Sequence, residues 1–163
     1  MGERVYQKLG FRRTTTYQGY QSETDTNYNM CRNVRPLIQS DLENVLKVDK
    51  EINGEDREHF LINNYKSGFG YFDNMGELIG LYLPDFGRGL VLAKNQDAGV
   101  ELLKIKHSEK GRTSYIPIEN KAAIDFFINR NFNRLENFSR MSLSNDSKWN
   151  PKYIYSYGSG YSG

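Results

Sequence analysis

The sequence is poor in the residues that usually announce chemistry. It has 163 residues and a single cysteine, Cys31. No intrachain disulfide can form, which suits a reducing compartment, and a cytoplasmic protein is expected. No catalytic signature surrounds Cys31, so it reads as an ordinary thiol. There are two histidines, His59 and His107, both on polar, helix-like stretches. Neither has a partner at metal-ligand spacing, so no metal site is expected. Charge of one sign is also scarce. Twenty-two Lys and Arg stand against 20 Asp and Glu, for a net charge of +2. That field is too weak to gather nucleic acid or an anionic membrane by itself. No apolar run reaches membrane-spanning length. The opening "MGERVYQKLG" carries charges where an export signal needs an apolar core.

What the chain does have is aromatics, 13% of its residues, within a hydrophobic content of only 37%. Large rings let a modest core bury enough area to be stable. Residues 34–38, "VRPLI", read as a short strand limited by Pro36. "SDLENVLKVDKEI" (40–52) reads as a helix opened by a capping box, Ser40 with Glu43, and closed by Asn53-Gly54. A second helix is expected over 56–67. Two apolar runs flank Asp73-Asn74-Met75-Gly76 and read as a hairpin over 68–84. "LVLA" (90–93) reads as a buried strand and 96–111 as an amphipathic helix ending at Gly111. A strand over 113–119, a helix over 120–131 capped by Asn120 and a long strand over 132–144 follow. The tail, 145–163, is rich in Tyr and Gly. Tyr153, Tyr155, Tyr157 and Tyr161, with Lys148 and Lys152 nearby, could form a stacking platform for single-stranded nucleic acid. The near-neutral charge argues against it. The plainer reading has the tyrosines pack back on the domain, hydroxyls at the rim.

The chain repeats itself once. "YQKLGFRR" (6–13) matches "FINRNFNR" (127–134) at a constant offset: 127 − 6, 132 − 11 and 134 − 13 all give 121. Gly10 falls on Asn131. These are the two residues best suited to a left-handed helix cap. Both caps are followed by Phe and then by strand-like sequence. The spacing is near one domain length. Residues 1–21 therefore read as the last helix turns and last strand of an upstream unit. Residues 22–33 read as a linker, and 34–144 as a complete unit. The strand at 11–21 would otherwise carry an unpaired edge. It is expected to join the complete unit's own sheet; pairing with a second chain, as a homodimer, is the alternative.

The order strand, two helices, hairpin, strand, helix, strand, helix, strand resembles the GNAT superfamily of acyl-CoA-dependent N-acetyltransferases. Asn120, Ala123, Phe126, Phe127, Asn131 and Phe132 occupy the places of that family's N-x-x-A-x-x-F/L-Y-x-K-x-G-F motif. Tyr6, Lys8, Gly10 and Phe11 give a cleaner copy of its second half. "IYSYGSG" (154–160) is similar to the tail of tandem members. The resemblance implies an α/β (α+β) fold, a twisted, mixed, mainly antiparallel sheet flanked by helices. It implies acetyl-CoA as cofactor, a small-molecule amine as acceptor, and no nucleic acid or membrane partner.

The resemblance also locates the chemistry. Family members bind the cofactor pyrophosphate on a glycine-rich loop before a helix, where backbone N–H groups and the helix dipole meet phosphate. Here the loop is "KNQDAGV" (94–100). Lys94 takes the basic position and Gly99 the one retained glycine. Asn95 and Asp97 replace two others, and Asp97 brings a like charge toward phosphate. Many relatives use the tyrosine of the penultimate helix as a general acid toward the leaving thiolate. Phe127 has no hydroxyl; Tyr6, its counterpart in the upstream remnant, has one. Glu77 and Glu101 read as solvated surface residues. The implied function is the C-terminal part of a tandem N-acetyltransferase whose complete unit is structural or substrate-shaping. An active acetyltransferase of a small amine or N-terminus, with an altered loop, is the alternative. A non-enzymatic binding module is the third reading.

Overall fold

A computed structural model describes residues 2–143 and 148–158, with side chains from Val5 onward. Ser144, the first part of the tail and its end, Tyr161 included, lie outside the described residues. The elements run α1 (Gly2–Lys8), β1 (Arg12–Gln21), β2 (Val34–Pro36), α2 (Leu42–Asn53), α3 (Glu58–Asn64), β3 (Phe69–Phe72) and β4 (Leu78–Leu83). They continue with β5 (Leu90–Ala93), α4 (Gln96–Lys106), β6 (Thr113–Pro117), α5 (Lys121–Asn129), β7 (Asn133–Ser142) and β8 (Ile154–Ser156). Strands β2-β3-β4-β5-β8 form one sheet and β6-β1-β7 another, with every neighbouring pair antiparallel. The expected mixed α+β class, antiparallel sheet with flanking helices, is what the chain forms.

Local chemistry explains most of the elements. The hairpin β3–β4 turns on Asp73, whose Oδ1 accepts from Met75 N and Glu77 N, both at 2.9 Å. Helix α5 starts where Asn120 Oδ1 accepts from Ala123 N at 3.0 Å. Helix α2 departs from the expected start. Ser40 is exposed and sits in a 3-10 turn; Asp41 does the tethering, accepting from Ile38 N at 2.8 Å. Asp41 wins because Arg35 grips both its oxygens, at 2.7 and 2.9 Å, fixing it over the turn. Helices α3 and α4 are shorter than expected, ending at Asn64 and Lys106.

One core packs α4 and α5 against β4, β5 and β8, through Leu102, Leu103, Phe126, Phe127 and Tyr155. A second packs α2 and α3 on the other side, through Val45, Val48, Ile52 and Leu61. A buried cluster of charged and polar side chains in this second core is internally paired. The Arg57 guanidinium pairs with the Asp49 carboxylate, whose Oδ1 also accepts from Asn53.

The two repeated segments have the same backbone. Phe11 N donates to Tyr6 O at 3.0 Å, and Phe132 N to Phe127 O at 3.1 Å. Gly10 has φ of 90° and Asn131 of 53°, both left-handed. Tyr6 and Phe11 meet edge to face at 5.3 Å, and Phe127 and Phe132 at 5.1 Å. Each segment then runs into a ten-residue strand. Those strands, β1 and β7, pair antiparallel with each other; at both ends the register maps onto itself, and bulges at Arg13/Thr15 and Tyr17/Gly19 break the correspondence in between. Arg12 faces Ser142, the counterpart of Gln21, and Gln21 faces Asn133, the counterpart of Arg12. At the centre Tyr17 faces its own counterpart Phe138, rings stacked at 4.9 Å. On its other edge β1 pairs with β6, from Tyr17↔Pro117 to Gln21↔Thr113.

Candidate functional site

Two places in the molecule have the making of a site. The first is the N-terminus of α4. Strand β5 delivers the chain into Asn95, whose Oδ1 accepts from Ala98 N at 2.9 Å. The expected loop residues are here, in different employment. Lys94 Nζ lies 2.6 Å from Glu51 and 3.7 Å from Glu77. Gly99 is buried against the ring of Tyr155. A Cβ on Gly99 would stand 2.2 Å from Tyr155 Cζ. The Tyr155 hydroxyl donates to Asn95 O at 3.2 Å. Burial pushes that phenol up to about 12, with Tyr153 and Asp97 adding to the effect. The close approach that a glycine permits is taken by a protein side chain.

Tyr155 is held there by β8, which lies between β5 and β6. Val91 and Leu92 of β5 pair with Ser156 and Ile154. On the other side Tyr157 N donates to Tyr115 O at 3.0 Å. Asn120, the α5 cap, donates through Nδ2 to Ile154 O at 3.0 Å. The Lys106 ammonium closes the arrangement from below. It donates to Ser156 Oγ at 2.6 Å, Gly89 O at 2.7 Å and Arg88 O at 2.8 Å. Three acceptors use all three of its N–H bonds. Burial, then Arg112 and Arg88, pull its pKa well below the usual lysine value.

The expected general-acid position is divided between the two repeated segments. Phe127 is fully buried among Tyr20, His107, Phe126 and Phe132. Tyr6 carries the hydroxyl but is 49% exposed on α1, away from α4. The structure does not bring Tyr6, Lys94 and Gly99 together.

The second place is a cavity of about 460 Å³ where the C-terminal ends of α4 and α5 meet the segment before β2. Phe126 and Phe132 form an apolar wall, and Glu23, Arg130 and Asn27 stand at the exposed rim. His107 lines it too. Far from sitting on a polar face, His107 is buried, with Nε2 2.8 Å from Ser114 Oγ. Its Nδ1 is buried without a hydrogen-bond partner among the described residues. Such an orphan costs about 1–3 kcal/mol. Burial, with Lys106 and Arg112 nearby, drops the imidazole to about 3, so the ring is neutral at physiological pH.

The expected linker is bound to this region. Thr26 N and Oγ1 donate to Ser108 O at 2.9 Å and His107 O at 3.1 Å. The Tyr28 hydroxyl donates to Glu101 Oε2 at 2.6 Å, and Lys104 pairs with the other carboxylate oxygen. Glu101 is therefore half-buried and engaged, not solvated. Burial alone would raise its pKa, but the bonds from Lys104 and Tyr28 outweigh it and hold the carboxyl low. Glu77 is exposed, as expected. Cys31 is a free thiol beside this cluster. No group of metal-ligating side chains occurs among the described residues, and no helix among them is long and apolar enough to cross a membrane.

The fold has a solved counterpart. The chain superposes on the crystal structure of a protein named as a putative acetyltransferase from Pyrococcus horikoshii, with a TM-score of 0.78 and 19% identity. The match covers 99% of this chain and 57% of that one. No protein-family model and no curated protein sequence matches. At this identity the likeness establishes the architecture: the chain has the fold of that acetyltransferase, and spans little more than half of its length.

Proposed function

We propose that this chain is the C-terminal part of a tandem GNAT-type N-acetyltransferase, and that its complete unit, residues 34–144, supports or shapes substrate binding without transferring acetyl itself. Acetyl-CoA and a small-molecule amine are then ligands of the full protein. The observation that carries the reading is the ring of Tyr155 against Gly99. A pyrophosphate needs bare backbone at the start of α4, and there the glycine's open side is filled by a side chain anchored in β8. The residues do not fit the cofactor in that pose. Lys94, the basic residue of the loop, is turned toward Glu51 and Glu77. The acid position is a phenylalanine buried among other rings.

The tandem part of the reading is supported by the pairing of β1 with β7. Antiparallel pairing in which the two strands' matching ends face each other, Arg12 with Ser142 and Gln21 with Asn133, is how two equivalent strands of sibling units meet. The share of the Pyrococcus horikoshii chain left uncovered has room for such a sibling. Tyr6 would then be the acid of that upstream unit.

Calorimetric titration of the folded chain with acetyl-CoA tests the proposal. The expected result is no saturable binding up to about 1 mM, a weak-binding limit of about 4 kcal/mol, and no thiol release with a panel of small amines. Tight, one-to-one binding would overturn it.

A further inference from the structure

The repeat lets one surface of the molecule be compared with another. Val5, Tyr6, Phe138 and Leu143 are 57, 49, 38 and 64% exposed. Apolar residues exposed singly need no explanation, but these four stand at matched positions. Their counterparts at the 121-residue offset are Phe126, Phe127, Tyr17 and Ser22, and all four are 5% exposed or less. Leu143 lies beside the end of α1, its Cδ2 3.9 Å from where a Cβ on Gly10 would stand.

The groups that bury the counterparts are explicit. The His107 ring of α4 meets Phe127 edge on at 5.1 Å. Ser22 donates through N to Arg112 O at 3.2 Å and through Oγ to Glu109 O at 3.0 Å. Tyr17 is covered by the Tyr157 ring at 4.8 Å, and β6 pairs with residues 17–21 of β1. All of these groups lie outside the repeated segments, in and behind the complete unit. In the other copy, β7 has β1 on one side and, among the described strands, none on the other.

We propose that α1, β7 and Leu143 form the docking face for a second unit of this same fold. That unit's counterpart of β6 pairs antiparallel with residues 138–142, and its counterpart of α4 closes over Tyr6. The inference rests on the tandem reading above and adds where the sibling sits. One run of strands then passes through both units: β6, β1, β7 and the sibling's strand. Two observations choose this occupant. The Pyrococcus horikoshii chain extends past the superposed part by about 120 residues, one domain's length and the spacing of the repeat. A second copy of this chain could not offer the same strand, because its β6 is already flanked by its own β1 and by Tyr157.

A duplicate of the unit is the probe. Residues 22–126 are joined directly to residues 6–163, so that the copied α5 runs into Tyr6 in the place of Phe127. Hydrogen exchange read by mass spectrometry compares this fusion with the full chain. Segments 6–9 and 138–142 should exchange at least about tenfold more slowly in the fusion, and the fusion should sediment as a monomer. Leu143→Asp alters an exposed side chain, so it should leave the melting temperature of the full chain unchanged and lower that of the fusion. The proposal fails if the two segments exchange as fast in the fusion as in the chain, or if Leu143→Asp affects both melting temperatures alike. It fails if the full chain alone protects those segments in a concentration-dependent dimer. A fusion that does not fold cooperatively also overturns it, because that fusion holds every surface the proposal calls for. None of these results changes the acetyl-CoA titration, so a failed docking face and a failed functional reading are told apart.

Discussion

Residues 6–21 and 127–142 are one local design used twice with opposite surroundings. Both have the helix end, the left-handed cap, the edge-to-face ring pair and the ten-residue strand. Yet Tyr6 is half exposed, while Phe127 is shut in by Tyr20, His107 and Phe126. The comparison separates what local sequence decides from what packing decides. Glycine or asparagine at the cap, with Phe after it, fixes the backbone in both places. How much each ring contributes depends on whether a helix such as α4 backs it.

The largest test of that separation is to delete each ring. Phe127→Ala empties a closed core position and should cost about 3–5 kcal/mol in urea unfolding. Tyr6→Ala removes an exposed ring and should cost no more than about 1 kcal/mol. Equal losses would mean that α1 is packed as tightly as α5. Acid offers the next contrast, because His107 touches Phe127 and Phe132 and no histidine touches Tyr6 or Phe11. Its folded pKa, about 3, is below the ordinary 6.5, so the unfolded chain takes up the proton first. This contribution to stability is complete above about pH 6.5 and falls as pH drops toward about 3, by about 1.4 kcal/mol per unit. In His107→Leu that slope should flatten; an unchanged slope would assign acid loss to other groups. The smallest effect is at the caps. Asn131→Gly relieves a left-handed side chain and should stabilise by less than about 1 kcal/mol, whereas Gly10→Asn should destabilise by a few tenths. A reversed sign at either position would show that the caps are not equivalent.

Much of the fold could be read from short-range signals. Asn120, Gly54 and the Asp73–Gly76 turn each act within a few residues of themselves, and each behaves as its sequence suggests. The β-branched and aromatic residues of 11–21 mark β1 to within one residue. Less legible were the partners. Nothing near Ser40 reveals that Arg35 will recruit Asp41 and shift the start of α2. His107 looks solvent-facing among Lys104, Lys106 and Lys110; only the burial of its neighbours Leu102 and Leu103 and the Ser114 hydroxyl turns it inward. Gly99 is the instructive case. Its sequence context says that something comes close to the backbone, and that is correct. Whether the visitor is a phosphate or a ring depends on Tyr155, fifty-six positions further on in the chain and unrelated to the loop by any pattern.

The placement of β1 carries a lesson about where this molecule could be cut. A polar stretch such as 22–33 invites a break between two parts. But neighbouring strands lie about 4.8 Å apart, so removing residues 12–21 would leave β6 and β7 facing each other across about twice that distance, too far for any backbone hydrogen bond. Two rows of amides and carbonyls would lose their partners at once. The stretch that looks like a hinge in the one-dimensional text does not coincide with a seam in the sheet, and a shortened chain starting at Val34 would be missing a plank from its middle.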